Sequence, residues 1–118
     1  MERAKFEALV LSAIDQASEP YTLDEVMAEL ESGESSGLIG ENSIMIVKLF
    51  KHNGELTGHC WLGAGDIDEL RDDLRPKAEA WAKEHNATAA TIDGRRGWVR
   101  ALSGQGYRET SVTVRKEL

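Results

Sequence analysis

Asn53-Gly54 constrains the fold of this chain more than any other pair, because it sits between two runs of alternating hydrophobicity. A two-residue type I′ turn needs positive φ at both central positions, so the flanking runs read as an antiparallel hairpin. The turn fixes the pairing, with His52 opposite Glu55, Phe50 opposite Thr57, Lys48 opposite His59 and Ile46 opposite Trp61. One face then carries Met45, Val47, Leu49, Leu56, Gly58, Cys60 and Leu62, an apolar surface that belongs in a core. The opposite face, from Ile44 and Ile46 through Lys48, Phe50 and His59 to Trp61, is apolar at one end and polar toward the turn. It calls for a partial cover, supplied by N-terminal helices or by a partner protein.

Helical periods flank the hairpin. Phe6, Leu9, Val10, Ala13, Ile14 and Ala17 make one apolar stripe. Thr22 and Glu25 have capping-box spacing, Tyr21 and Val26 the spacing of a hydrophobic staple, and Leu23, Val26, Met27 and Leu30 form the buried side of a second helix. Residues 31–37 read as a loop, since their glycines break both periods. Asp66 and Glu69 open a central helix as an acidic capping box, and Ile67, Leu70, Leu74, Ala78 and Trp81 continue its inner face. Pro76 should kink or restart that helix. A strand is expected over Ala87–Asp93, a short helix around Trp98, Ala101 and Leu102 ending at Gly104 or Gly106, and a last strand from Tyr107 to Lys116 with Val112 and Val114 on one side. The class is mixed α/β (α+β). With 118 residues the chain is expected to form one domain, a helical acidic part over 1–37 and a hairpin-helix-strand-helix-strand core over 43–118.

Charge narrows the partners. The net charge is −7, but residues 1–45 set Arg3 and Lys5 against ten acids, a balance of −8, whereas residues 94–118 set six basic residues against two acids, +4. The acidic part repels nucleic acid, which makes it an unlikely partner, and the two oppositely charged segments are expected to face each other or water. No run approaches the roughly 18 to 20 apolar residues of a membrane span, and no signal-like stretch follows the charged start, so a protein not secreted by its own signal is expected. A lone Cys60 forms no intrachain disulfide, and the scattered His52, His59 and His85 build no metal site.

The segment Cys60-Trp61-Leu62-Gly63-Ala64-Gly65-Asp66 runs from a strand through a glycine-bracketed turn into a helix start, where the first amides can hold an anion. With the pair Gly106-Tyr107 and the order of elements over residues 43–107, it resembles the GNAT acyltransferase superfamily. That resemblance implies a coenzyme A pyrophosphate at the central helix N-terminus, and it makes Gly63, Ala64 and Gly65 the cofactor-binding residues if acetyl-coenzyme A binds. Asp93-Gly94-Arg95-Arg96-Gly97-Trp98 followed by Gly106-Tyr107 is similar to small GNAT-like proteins of tailed phages.

Two departures from the superfamily pattern bear on activity. Its loop, Gln/Arg-x-x-Gly-x-Gly/Ala, would begin at Cys60 inside the strand, which shortens the loop to almost nothing, and Asp66 caps the amides that a pyrophosphate needs. The tyrosine that often protonates the leaving thiolate falls at Leu102, which is no general acid.

Other candidates have structural readings. Arg95, Arg96 and Arg100 flank the last helix and could hold an anion, while Asp93 and the acidic N-terminal third compete for them. Trp81 and Trp98 read as core anchors, Trp61 is ambiguous, and Tyr107 reads as packing. Alternation puts His59 and Cys60 on opposite faces, so they form no nucleophile and base. The expected function is therefore a noncatalytic GNAT-like interaction or structural module without cofactor, phage-encoded, in the host cytoplasm or the virion. Its partner would be a viral or host protein or a second copy of itself. The alternatives are an active acetyl-coenzyme A-dependent N-acetyltransferase with a divergent site, and an acidic inhibitor of a host protein.

Overall fold

A computed structural model describes residues 1–17, 19–93, 97–111 and 114–118. The elements are α1 (Arg3–Asp15), α2 (Leu23–Ser32), β1 (Ser36–Ile39), β2 (Ile44–His52), β3 (Glu55–Ala64), α3 (Ile67–Glu69), α4 (Arg75–Glu84), β4 (Ala89–Ile92) and α5 (Gly97–Ala101). They form a four-stranded mixed sheet in the order β1-β2-β3-β4. The first two pairings are antiparallel and β3 with β4 is parallel.

The hairpin turns at Asn53 (φ 51°) and Gly54 (φ 80°), and the expected pairs hold from His52 with Glu55 to Lys48 with His59. The register then shifts: Val47 lies opposite Cys60 but Ile46 opposite Leu62, which leaves Trp61 as the extra residue of a β-bulge. The expected pairing of Ile46 with Trp61 is thereby corrected. So is the face of Leu62, because an extra residue reverses the alternation beyond it.

Two cores result, one on each face. Ile44, Ile46, Trp61, Leu62 and Ala64 pack with Val10 and Ala13 of α1 and Val26 of α2, and the partly buried Phe6, Leu9, Ile14, Ala17, Tyr21, Leu23 and Leu30 close over them. Met45, Val47 and Cys60 pack with Leu70 and Leu74, flanked by Ala78, Trp81, Ile92 and Trp98. The N-terminal helices thus cover the apolar end of the outer hairpin face and stop short of Phe50, which is 47% exposed. At that boundary the Lys48 ammonium lies 3.9 Å from the Trp61 ring centroid and 3.4 Å from Glu29 Oε1.

Three further expectations are corrected. The 31–37 loop ends early, for Ser36 and Gly37 open β1; just before it Ser35, buried, donates its hydroxyl to Glu29 Oε1 at 2.9 Å. Ile67 is 45% exposed rather than inward-facing. None of the described residues in 107–116 belongs to a strand, so the fourth strand is β1, not a C-terminal one. The segment carries Arg108, Glu109, Arg115 and Lys116 around two valines and offers its own sheet little to bury; Val112 itself lies outside the described residues. Among the described residues no ion pair joins 97–118 to 1–45.

Pro76 restarts the central helix as expected. A wider π-helical turn, Leu70–Leu74, separates α3 from α4, and Pro76 falls in the first turn of α4, where its missing donor matters least. Among the described residues no helix is long and apolar enough to cross a membrane.

Candidate functional site at the strand-to-helix joint

The turn singled out by the sequence lies between β3 and α3. Gly65 adopts φ 121°, a conformation closed to side chains, and a Cβ there would fall 2.4 Å from Asn42 O and 2.5 Å from Ser43 Oγ. The chain itself, rather than an open cradle, fills the space this glycine creates. Asp66 follows as N-cap, its Oδ1 accepting from the Asp68 amide at 2.8 Å and the Glu69 amide at 3.2 Å. The Asp66 amide donates to Ser43 Oγ at 2.9 Å, and the Leu70 amide to Asp66 O at 2.9 Å. The donors of Asp66, Asp68, Glu69 and Leu70 are therefore all engaged within the chain.

Glu69 departs from its expected role. In a capping box it would return to the Asp66 amide, but fully buried Ser43 already holds that amide. The Glu69 carboxylate instead crosses to the β1–β2 turn and accepts from the amides of Glu41 and Asn42, each at 2.9 Å. Ser43 first, then the Asn42 and Glu41 amides and Lys5, hold its pKa below the ordinary glutamate value. Gly40 is the counterpart, since a Cβ there would meet the Glu69 carboxyl at 2.7 Å. Lys5 of α1 completes the clamp, donating to Glu41 O and Asn42 Oδ1 at 2.9 Å each. Ser43, Glu69 and Lys5 carry no local sequence signal for these contacts, because their partners lie on other elements.

The remaining path along β3 is also filled. Pairing of β4 with β3 ends at Ile92 opposite Cys60, and the Asp93 amide donates to Cys60 O at 3.3 Å. Beyond that point Trp98 stands against Gly63, its Cζ2 3.8 Å from where a glycine Cβ would be. Leu102, where the sequence resemblance would place a tyrosine, is 2% exposed. The Tyr107 hydroxyl donates to Glu79 Oε2 at 3.0 Å, and burial, then the Glu79 charge, raises its pKa. Glu79 in turn accepts from Arg75 Nη1 at 2.5 Å, and Arg75 Nη2 donates to Gln105 Oε1 at 3.0 Å. This network ties α4 to the segment after α5.

Among the described residues, the other candidates do not converge. Arg100 is exposed on α5, while Arg95 and Arg96 lie outside the described residues. Trp61 is 6% exposed, with Tyr21 edge-on at 5.0 Å, so its ring is a core element and no platform for bases. Cys60 is buried, and desolvation pushes its thiol pKa up to about 12. His59 lies on the other face, its Nδ1 2.7 Å from Thr91 Oγ1, with a pKa lowered by burial. Among the described residues no three His, Cys, Asp or Glu side chains assemble as a metal site.

No family model and no curated protein matches the sequence. Solved structures do match the fold. An acetyltransferase of Trypanosoma brucei superposes with a TM-score of 0.67 at 10% identity, covering 98% of this chain and 92% of the other. Glucosamine-6-phosphate N-acetyltransferase of Arabidopsis thaliana gives 0.68 at 14% identity, covering 99% and 94%. The aminoglycoside 6'-N-acetyltransferase of Acinetobacter haemolyticus, in its apo form, gives 0.60 at 14% identity, covering 100% and 94%. At such identities the likeness is one of fold, and the fold is GNAT-like.

Proposed function

We propose that this chain is a noncatalytic GNAT-like module that acts by contact with other proteins, having lost the coenzyme site of its fold. One observation carries the reading: the amides of Asp66, Asp68 and Glu69 are taken by Ser43 Oγ and Asp66 Oδ1. Phosphate and carboxylate favour a helix N-terminus for the same reasons, and here a carboxylate that belongs to the chain is already in place. Asp68 and Glu69 beside it add like charge against a pyrophosphate. The residues present at Gly63, Ala64 and Gly65 therefore do not fit acetyl-coenzyme A. The similarity of residues 93–98 and 106–107 to small phage proteins supports a phage origin and a viral or host protein as partner.

The alternative, an active N-acetyltransferase, draws on the acetyltransferases among the structural neighbours. Calorimetric titration with acetyl-coenzyme A separates the two. The proposal predicts no binding heat at submillimolar coenzyme, and micromolar affinity would overturn it.

A further inference from the structure

Helix α1 is apolar on two sides. Phe6, Leu9, Val10, Ala13 and Ile14 pack into the core beneath it. Met1, just before the helix, and Ala4, Ala8 and Leu11 within it are all exposed, Met1 to 45% and Leu11 to 51%. At 3.6 residues per turn this second stripe lies opposite the first. Its spacing of three, four and three residues is that of a seam between two packed helices, and alanine at both central positions lets a partner helix come close. The charges of α1 also run against its own dipole. Arg3 and Lys5 stand in the first turn, which holds no acid, and Asp15 ends a last turn that holds no base; Glu2, the N-cap, makes no side-chain cap bond.

We propose that α1 of a second copy, running antiparallel, covers this stripe. Charge sets the direction. An antiparallel partner brings its carboxyl end and Asp15 toward Arg3 and Lys5 of the first copy, and the reverse, so each helix offsets the other's misplaced charges; a parallel partner would set like ends together. Leu11 then packs on Met1 of the other copy, and Ala4 on its Ala8. Arg3 and Glu7, ion-paired at 3.2 Å on one flank of α1, meet the same flank of the partner helix, where each gains the opposite charge of the other copy. The stripe itself carries no charge, and of the ten acids in residues 1–45 only Glu2, Glu7 and Asp15 belong to α1 or its cap. The same patch serves both copies, so the contact closes as a two-fold dimer.

The inference rests on the interaction-module reading, whose partner it names, yet the two fail separately: a monomer that ignores acetyl-coenzyme A would overturn the dimer alone. Sedimentation of the full chain from micromolar to submillimolar concentration should show a dimer, and Leu11→Lys should raise its dissociation constant by about tenfold or more. Leu11 is exposed in one chain, so that replacement leaves the single-chain core in place. Orientation is read by oxidising an equal mixture of Ala4→Cys and Ala8→Cys chains, in which the buried Cys60 takes no part. The antiparallel pair predicts that the crosslink between the two variants forms in preference to either variant with itself. A monomer throughout, a dimer indifferent to Leu11→Lys, or crosslinks without preference for the mixed pair would each overturn the proposal.

Discussion

The β3–α3 joint and the free edge of β4 differ in how far the chain satisfies its own polar groups. At the joint, residues from α1, the β1–β2 turn and α3 meet, and the amides of Glu41, Asn42, Asp66, Asp68 and Glu69 all have side-chain partners. At β4, no strand among the described residues pairs with the side away from β3. The first arrangement closes a place where this fold can hold an anion; the second leaves a place where a strand can be added.

The contrast predicts a graded set of mutational effects. Gly65→Ala should be the most damaging, by about 3 kcal/mol or more, because it combines forbidden φ with a clash against backbone. Gly104→Ala, where a Cβ meets nothing within 4 Å, is its control and should leave the thermal midpoint nearly unchanged. Equal midpoints for the two would break the comparison. Ser43→Ala comes next: it leaves the Asp66 amide without its partner beneath the joint, at about 1 to 3 kcal/mol by denaturant titration. Asp66→Ala should lose about 1 kcal/mol as a missing cap.

Glu69 gives the smallest effect and a pH signature. Its pKa is depressed in the folded state, so its contribution is full above the ordinary value of 4.5 and is lost as the pH falls through the depressed value. Glu69→Gln should therefore lower stability above that range and leave the most acidic end unchanged, which flattens the acid limb of the stability profile. An unchanged acid limb would show that the clamp on the β1–β2 turn does not matter to stability.

Local signals made much of this fold legible, and nonlocal ones did not. Asn53-Gly54 fixed the hairpin and its register as far as Lys48 with His59, since turn geometry propagates along a ladder. The bulge at Trp61 escaped because it depends on what packs above the sheet, Val10, Val26 and Tyr21, none of them near in sequence. β1 escaped for a related reason: Ser36-Gly37 has the composition of a turn and becomes a strand only through pairing with Ile46 and Val47. At the joint, the Asp66 cap was visible as helix-start spacing, whereas the Ser43 contact and the crossing of Glu69 to Glu41 and Asn42 exist only once β2 and α3 stand together. The C-terminal segment shows the converse, a strand-like pattern that one chain leaves unpaired among its described residues.

The central claim, that the chain's own groups hold the helix amides, is tested most directly by following the amide resonances of Asp66, Asp68 and Glu69 during titration with acetyl-coenzyme A. The account predicts that these resonances stay in place up to submillimolar coenzyme. Saturable shifts at these three amides, with a micromolar midpoint, would contradict it.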